Sequence, residues 1–465
     1  MDTKNIKGTK GTKDTKDTKD TKGTKNTKNT KNTKGTKDTK NTKNTKDTKN
    51  TKDTKDTKNT KDTKYTVNTM KAAYNRDDAV QLLQEMIRMD TCNPPGNEHH
   101  LSMLIKSRLD RLGIDSRIEL VNEDGNRSNL EAVIKGKGND NKEHGGRRKL
   151  ILCGHLDTVA PWSPSAGKYT PHGAVIDNHR IYGRGASDMK SGVAAMLLAC
   201  ESIQREGIQL YGDLIFLATA GEEVDSCGAT AYTDRVGMQD VAGVVIAEPT
   251  SSKVVIGHKG ALWLRIIVKG RGSHGSMPEL GVNAIENMMQ VVACLKEMEV
   301  KWRARDPILG SSSMAVTRIH GGAQTNITPD HCEIEVDIRT VPPIRHKELL
   351  LDIESELDAL RVRVPNLKYE ISPILERQSI RTDESHELIA AALDLVGPEN
   401  SQVQGVSYYT DGSVLSENGD LPILIYGPGD PRLAHQPDEW VDIDEYVRSI
   451  DFYYELIIKF LGTVE

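Results

Sequence analysis

The chain has 465 residues with 62 basic and 67 acidic side chains, a formal net charge of −5. The charge is uneven: residues 1–64 hold 21 Lys and nine Asp, a net +12, whereas the remaining 401 residues hold 41 basic and 58 acidic side chains, a net −17. An acidic body of that length can form two or three domains, and its charge argues against a nucleic-acid partner.

Residues 1–69 form an N-terminal tail built on a three-residue repeat, x-Thr-Lys, in which x is Asp, Asn or Gly. The repeat offers no apolar face to a core, so we expect this tail to be disordered. It could act as a cationic arm for anionic polymers or membrane surfaces, or as a solubilising spacer. We favour a low-complexity expansion without a function, because the Asp residues dilute the positive charge. Met70 is an alternative start of the chain.

The sequence predicts a protein of the cytoplasm without a membrane segment. The N-terminus lacks the apolar region of a secretory signal, and no stretch approaches the roughly 18 apolar residues that a membrane span needs. The cysteines are scattered without a C-x-x-C pair, which favours free thiols in a reducing compartment. They are Cys92, Cys153, Cys200, Cys227, Cys294 and Cys332.

The body begins with two predicted helices, one from Asp77 and one through Leu101 to Leu112, separated by a Pro-Pro-Gly break. Short apolar runs at 150–153, 214–217 and 244–247 follow, and each ends in a sharp polar turn. A small-residue helix over about 191–204 lies between the first two runs. This alternation predicts an α/β domain with a mainly parallel sheet, in which ligands bind at the carboxyl ends of the strands.

Residues 259–376 follow a different order of elements, β-α-β-β-α-β, which is typical of a ferredoxin-like α+β unit. We interpret this segment as an inserted second domain. The α/β pattern resumes in 377–465 and closes with an amphipathic helix over 443–461. The first domain is therefore expected to be discontinuous, formed by 70–258 and 377–465.

Two motifs carry groups that could serve a metal site. His155 and Asp157 follow the first apolar run, and residues two apart in an extended segment face the same way, so the Asp157 carboxylate could orient the His155 ring. Asp188 lies in a Gly-rich turn that opens the small-residue helix. Taken alone, the His-x-Asp pair could be structural and Asp188 could be a helix cap.

Further acidic residues and a second histidine extend this candidate set. The adjacent Glu222 and Glu223 repel one another unless a cation or a shared proton offsets the repulsion, although a solvated acidic turn is an alternative. Glu248 follows four apolar residues and precedes Pro249, which is unusual for a surface charge. His435 lies far along the chain. Two histidines and three acids, with a fourth acid as a base, suit a pair of zinc-type divalent ions bridged by one carboxylate.

Seven segments in order resemble the M20 family of metallohydrolases, and the resemblance covers about residues 75–465 but not the tail. The segments are GHLDTV, YGRGASDMKSGVAAM, ATAGEEVDSCGA, IAEPTSSKVVIGHKG, VKGRGSHGSMPELGVNAI, GGAQTNITPDHCEIEVDIRT and GPGDPRLAHQPDEWV. The resemblance implies a zinc-peptidase-like catalytic domain, in which 259–376 forms a lid and dimerisation domain.

The resemblance also implies a centre of two divalent metal ions, Zn²⁺ with Co²⁺ able to substitute. The implied ligands are His155 and Glu248 for one ion, Glu223 and His435 for the other, and Asp188 for both. The family pattern further implies a cis peptide bond between Asp188 and Met189.

Roles for other residues follow from the same resemblance. Glu222 would be the general base, and the Asp157 carboxylate would orient the His155 ring without binding a metal ion itself. His274 would stabilise the oxyanion across the subunits of a homodimer. Asn326 and Arg339 would bind a substrate carboxylate, although Arg339 could also be an ordinary charge at a strand end.

The implied activity is hydrolysis of a linear amide bond in a small N-acyl-L-amino acid, N-acetylornithine or N-succinyl-LL-diaminopimelate, for arginine or lysine biosynthesis. A dipeptidase or carboxypeptidase with the same centre is the alternative enzyme, and a catalytically silent scaffold is a third reading. The complete set of ligands, with Glu222, argues against silence. Glu rather than Asp at 248 resembles the deacylase and carboxypeptidase branches more than the tripeptide aminopeptidases. The segment from Tyr408 to Leu415 departs from the Gly-Thr-Asp-Ala type turn of relatives, which puts a substrate contact there in doubt.

Overall fold

The structure is a computed structural model that describes residues 71–138, 148–163, 165–416 and 421–464. The expectations for the tail and for Met70 as a start lie outside these residues. The helices of the described residues are α1 (Arg76–Arg88), α2 (Glu98–Arg111), α3 (Lys190–Arg205), α4 (Cys227–Val236), α5 (Ala284–Lys301), α6 (His346–Arg363), α7 (Glu387–Val396), α8 (Gly412–Leu415) and α9 (Ile443–Leu461).

Strands of the described residues form two large sheets and two small ones. In chain order they are β1 (Asp115–Leu120), β2 (Ser128–Ile134), β3 (Lys149–His155), β4 (Val175–Asp177), β5 (Arg180–Tyr182), β6 (Asp213–Thr219), β7 (Val241–Ile246), β8 (Val255–His258), β9 (Gly260–Lys269), β10 (Arg305–Asp306), β11 (Gly310–Ser311), β12 (Ser313–Gly321), β13 (His331–Thr340), β14 (Lys368–Arg377), β15 (Ile380–Arg381), β16 (Gln404–Val406), β17 (Ile423–Ile425) and β18 (Trp440–Asp442).

The main sheet has the strand order β1-β2-β6-β3-β7-β17-β8-β15, with β16 paired to β8. Its centre, β6-β3-β7-β17, is parallel, whereas β1, β2 and β15 pair with their neighbours in antiparallel fashion. The expectation of a mainly parallel sheet is therefore wrong outside the centre. For β1 and β2 the physical reason is their short turn, which can join only antiparallel neighbours, whereas β2 and β15 pair with strands that lie far away in the chain.

Helix α3 lies at the middle of the main core, where it packs against α1 and α9 and on β3 and β6. Every residue from Lys190 to Ile203 is buried, which small side chains make possible on all faces of one helix. The β3, β6 and β7 strands are apolar along most of their length because both faces of the parallel centre are covered. Together these elements hold the carboxyl ends of the central strands in fixed positions.

A second sheet, in the order β12-β13-β9-β14, is antiparallel throughout and has its own hydrophobic core. Alternate residues of β9 and β13 are buried beneath α5 and α6, as the period of two in a one-sided sheet requires. The chain leaves the main sheet at His258 and re-enters it at Ile380. The order of elements between these points is the expected β-α-β-β-α-β, with one addition, the two-residue strands β10 and β11 that pair with each other before β12.

Two further features bear on the expected environment of the protein. No helix in the described part of the chain combines the length and the apolar character that crossing a membrane requires. All six cysteines are free, and five of them are buried.

Candidate metal centre

The candidate ligands lie together at the carboxyl edge of the parallel centre. His155 is the last residue of β3, Glu222 and Glu223 lie in the turn after β6, and Glu248 lies two residues beyond β7. Asp188 lies two residues before α3, and the peptide bond that joins it to Met189 is cis, which matches the expectation from the family pattern. The carboxyl ends of parallel strands meet at one edge, so residues far apart in sequence converge here.

Two groups of three side chains share Asp188. His155 Nε2 lies 3.2 Å from Asp188 Oδ1 and 3.7 Å from Glu248 Oε1. On the other side, His435 Nε2 lies 3.4 Å from Asp188 Oδ2 and 3.1 Å from Glu223 Oε2. Within each group the potential ligand atoms lie within 4.8 Å of one another. Each oxygen of Asp188 therefore faces a different histidine, which is the arrangement that a bridging carboxylate needs.

The buried carboxylates of this cluster favour the binding of cations. Burial, followed by the charge of Glu248, raises the pKa of Glu222 well above its usual range. Burial and the charge of Asp188 raise the pKa values of Glu223 and Glu248. Hydrogen bonds to Asp188 and Glu223 raise the pKa of His435 to about 10. These buried acids repel one another, and divalent ions would offset that repulsion. The donor set of imidazole nitrogens and carboxylate oxygens also fits two ions of the zinc type.

Asp157 supports the centre in a different way from the one expected. The His155 ring donates from Nδ1 to the backbone carbonyl of Asp157 at 2.9 Å, whereas the nearer carboxylate oxygen is 3.6 Å away. The Asp157 carboxylate instead accepts the amides of Gly221, Glu222 and Glu223 at 2.9, 3.1 and 3.3 Å. The reason is that β3 and β6 are parallel neighbours, so the turn after β6 presents its amides to the residue that follows β3. Asp157 thus holds the turn that carries Glu222.

Sequence reasoning missed Glu439, which fixes the backbone at Asp188 by accepting hydrogen bonds from it. Its buried carboxylate accepts the amides of Ser187 and Asp188 at 2.8 and 3.0 Å and pairs with Arg184 at 2.6 Å. The burial of Arg184, which requires an acidic partner, is visible only in the structure. Nothing in the sequence identified that partner as Glu439.

Asp411 and the two tyrosines before it close another side of the site. The buried Asp411 carboxylate accepts the Thr219 hydroxyl at 2.7 Å, and Tyr408 donates to the carbonyl of Pro249 at 2.9 Å. Burial and the charge of Glu222 raise the pKa of Tyr409 to about 12. The departure of this segment from the pattern of relatives therefore lies beside the candidate ligands.

His274, Asn326 and Arg339 belong to the second sheet and its loops, and no polar contact among the described residues joins them to the candidate ligands. The exposed His274 ring contacts Ser276 Oγ at 2.7 Å. The Asn326 carbonyl accepts the amide of Gly275 at 2.7 Å, and Arg339 pairs with Asp337 at 2.9 Å. A single chain therefore assembles the five candidate ligands with Glu222 and Asp157, but it does not bring these three residues into contact with them.

Comparison with known proteins adds similarity in sequence and in fold. Residues 151–459 match the profile of Peptidase family M20/M25/M40. The chain is 29% identical over 418 residues to a probable succinyl-diaminopimelate desuccinylase of Staphylococcus aureus, covering 83% of this chain and 98% of that protein. It superposes on a tripeptidase from Staphylococcus aureus with a TM-score of 0.64 at 20% identity, covering 83% and 98% of the two chains. For a dinuclear metal-binding M20 peptidase of Bacillus subtilis the TM-score is 0.61 at 14% identity, and the coverage is 84% and 99%.

Proposed function

The chain belongs to Peptidase family M20/M25/M40, and on that premise we propose that it is a dizinc amidohydrolase that removes the acyl group from a small N-acyl-L-amino acid. N-acetylornithine and N-succinyl-LL-diaminopimelate are the two substrates that we favour. The observation that carries the proposal is the pair of three-residue groups that share Asp188, with the buried Glu222 beside them. This arrangement supports a hydrolase that acts on an amide or peptide bond.

The metal ions would be held by the residues of the two groups. His155 and Glu248 would bind one ion, Glu223 and His435 the other, and Asp188 both. When bound, two zinc ions, or cobalt in their place, lower the pKa of water and polarise a carbonyl oxygen. Asp157 and Glu439 would keep the ligands in place through the amides that they accept.

Glu222 would be the general base and then the general acid. It is 7% exposed, and its carboxylate accepts no hydrogen bond from the described residues, so its oxygens are available for a proton. Burial, followed by the charge of Glu248, raises its pKa, and a positioned carboxylate is a common general base in hydrolysis. In the proposed reaction Glu222 takes a proton from the attacking water and delivers it to the leaving amine.

Residues of the second sheet would complete the site in a homodimer. We assign His274 to the oxyanion of the tetrahedral intermediate, and Asn326 and Arg339 to the substrate carboxylate. The exposure of His274 and its lack of contact with the candidate ligands in the described residues are consistent with a group that serves another subunit. In this proposal residues 259–376 act as a lid and a dimerisation domain.

The similarity to a desuccinylase favours an acyl-amino acid over a peptide as substrate. A dipeptidase or carboxypeptidase would use the same ligands and the same base, so the centre itself does not separate the two activities. A silent scaffold is disfavoured, because a chain without activity has no need for a complete set of ligands with a buried free carboxylate.

Amine release from a panel of compounds tests the proposal. The panel contains N-acetylornithine, N-succinyl-LL-diaminopimelate, N-acetylmethionine and a simple dipeptide, and each is offered to chelated enzyme and to enzyme reloaded with Zn²⁺ or Co²⁺. We expect metal-dependent turnover of an N-acyl amino acid. Turnover of the dipeptide alone would favour the peptidase, and no turnover with two metals bound would count against the proposed substrates.

A Glu222→Gln variant tests the assignment of the base. We expect it to bind two metal ions with unchanged affinity and to lose activity by about 100-fold or more, because only the proton carrier is removed. Elemental analysis measures the metal content, and kcat on the best substrate of the panel measures the loss of activity. An ordinary kcat would remove Glu222 from this role.

A further inference from the structure

The turn from Gly221 to Ser226 carries both Glu222 and Glu223, so its position decides where the proposed base and one proposed ligand lie. One side of the turn is held by Asp157, which accepts three of its amides. The turn also closes on itself, because the amides of Asp225 and Ser226 donate to the Gly221 carbonyl at 2.9 and 2.6 Å. The other side is held by an arginine that the catalytic proposal does not use.

Arg127 lies directly before β2 and binds this turn through an ion pair with Asp225. Its two terminal nitrogens donate to the two carboxylate oxygens of Asp225, each at 3.3 Å. The side chain of Arg127 is only 12% exposed, although Asp225 is half exposed. Asp225 in turn accepts the amide of Cys227 at 3.1 Å, at the start of α4. A planar, two-point contact of this kind restricts both position and orientation.

The Arg127 guanidinium also lies directly against the backbone of the turn at Gly221. A Cβ atom at position 221 would lie 1.9 Å from Arg127 Nη2 and 2.7 Å from Asp225 Oδ1. Gly221 has a φ of 80°, so glycine is required here both for the backbone conformation and for the approach of the arginine. The contact is therefore built into the turn and is not an incidental ion pair at the surface.

A buried acid, Glu98, forms an ion pair with Arg127. Glu98, the first residue of α2, is fully buried, and its Oε1 lies 3.5 Å from Arg127 Nε. Neither carboxylate oxygen of Glu98 has a hydrogen-bond partner among the described residues. A Cβ atom at Gly96 would lie 2.6 Å from Glu98 Oε2 and 2.7 Å from Arg127 Cγ, so that glycine leaves room for both side chains. An unbonded buried carboxylate is costly unless a cation lies beside it, and Arg127 supplies that cation.

We propose that Arg127 is a positioning residue that, backed by Glu98, fixes the turn from Gly221 to Ser226 and with it Glu222 and Glu223. The inference rests on the proposed function, since it assigns to Arg127 the geometry of the proposed base. Asp157 restrains the first half of the turn and Arg127 the second half, through Asp225. A displacement of the base by about 1 Å can lower a rate by roughly 100-fold, which sets the expected size of the effect.

The test compares Arg127→Ala and Arg127→Lys with the wild type and with Arg117→Ala as a matched control. Arg117 also pairs with a carboxylate, Glu119, but it is 60% exposed on β1. We expect Arg127→Ala to lower kcat by roughly 100-fold with little change in KM, and Arg127→Lys to restore part of the loss. The control should leave kcat and KM unchanged.

Hydrogen exchange gives a readout that does not depend on activity. The amides from Gly221 to Ser226 are all hydrogen-bonded in the turn, so exchange in a peptide that spans them is expected to be slow in the wild type. Arg127→Ala should accelerate exchange in that peptide and not in the rest of the fold. Because this variant leaves Glu98 buried without its cation, the double variant Glu98→Gln/Arg127→Ala is measured beside it and should show the same local acceleration.

The outcomes separate the two proposals. Unchanged exchange in the turn, or acceleration spread over the whole fold, overturns the positioning role whatever happens to kcat. Local acceleration with a normal kcat also overturns it, because the turn would then not govern the base. If the wild type turns over no member of the panel, the proposed function fails, and the exchange data still decide whether Arg127 orders the turn.

Discussion

Each oxygen of Asp188 faces a different histidine. This arrangement depends on Glu439, which lies 251 positions further along the chain. Glu439 accepts the amides of Ser187 and Asp188 and balances the charge of the buried Arg184. Without that carboxylate, two amides would lose their acceptor and the buried Arg184 guanidinium would lose its counter-charge. The position of Asp188 between the two histidines is thus maintained by a carboxylate that binds the backbone of Asp188.

Glu439→Gln is expected to weaken metal binding while leaving the fold intact. The neutral amide cannot balance Arg184 and accept both backbone amides, so Asp188 loses its fixed orientation, and an affinity loss of roughly 10- to 100-fold should follow. Competition with a chelator of known affinity measures it. Asp438→Asn is the control, since Asp438 accepts the amides of Lys168 and Tyr169 at a distance from Asp188. Equal affinities of Glu439→Gln and the wild type would contradict this role.

His258, at the end of β8, predicts a specific pH dependence of stability. Burial lowers its pKa from 6.5 to about 4, so the ring is neutral in the folded chain at pH values at which it takes up a proton in the unfolded chain. The stabilising contribution of the neutral ring is complete above about pH 6.5 and is lost as the pH falls towards 4. From pH 7 to pH 5 this amounts to about 2 kcal/mol.

His258→Gln should therefore lose less stability than the wild type on acidification. Urea unfolding of both metal-free proteins at pH 7 and pH 5 gives the difference, and the replacement of exposed His331 by Gln serves as the control. A loss of stability as large in His258→Gln as in the wild type would show that other groups account for the acid sensitivity.

At the scale of elements, the site depends on how closely α3 approaches the end of β7. A Cβ atom at Gly192 would lie 2.2 Å from the carbonyl oxygen of Ala247, the residue before Glu248. Backbone cannot yield as a flexible side chain can, so this glycine decides the distance between the helix that follows Asp188 and the strand that leads to Glu248. The spacing of two proposed ligands is in this way a consequence of helix packing.

Gly192→Ala is expected to be destabilising although alanine favours a helix. The gain in helix propensity is about 1 kcal/mol, whereas overpacking against backbone costs about 1 to 3 kcal/mol and displaces Glu248. Thermal unfolding and kcat should both fall. Ser191→Ala, one residue earlier in α3, removes a hydroxyl without a partner among the described residues and should change little. A stable, fully active Gly192→Ala would show that the contact can relax.

For the whole molecule, the described residues place all five candidate ligands, Glu222 and Asp157 in the compact part of the chain that begins after the tail. Near the start of the described residues, the Ala72 amide donates a hydrogen bond to the Asp451 carboxylate in α9. Deleting residues 1–69 should therefore leave kcat/KM for a small N-acyl amino acid within about twofold of the full-length value. Steady-state kinetics of the two proteins, with equal metal content, test this, and a large loss would give the repeat a part in activity.

Much of the site could be predicted from local sequence because several of its residues lie at a local signal; His435, which follows no apolar run, is the exception. His155, Glu222 and Glu248 each follow a run of apolar residues, and the end of a parallel strand is where an α/β fold exposes reactive groups. The long helices could be predicted equally well, and α9 has the expected bounds, Ile443–Leu461. Hydrophobic periodicity and strand ends are properties of a few consecutive residues, so no tertiary information was needed.

The sequence alone thus determined the elements, the alternation that builds the α/β fold and the set of candidate ligands. Only the tertiary structure decided which groups hold that set in place: Glu439 at the amide of Asp188, Arg127 against Gly221, and Asp157 at the amides of the turn from Gly221 to Ser226. The antiparallel flanks of the main sheet were likewise decided by long-range pairing. The physical reason is that a buried charge is satisfied by whichever partner the fold brings to it, and that partner can lie hundreds of residues away with no local pattern to mark it.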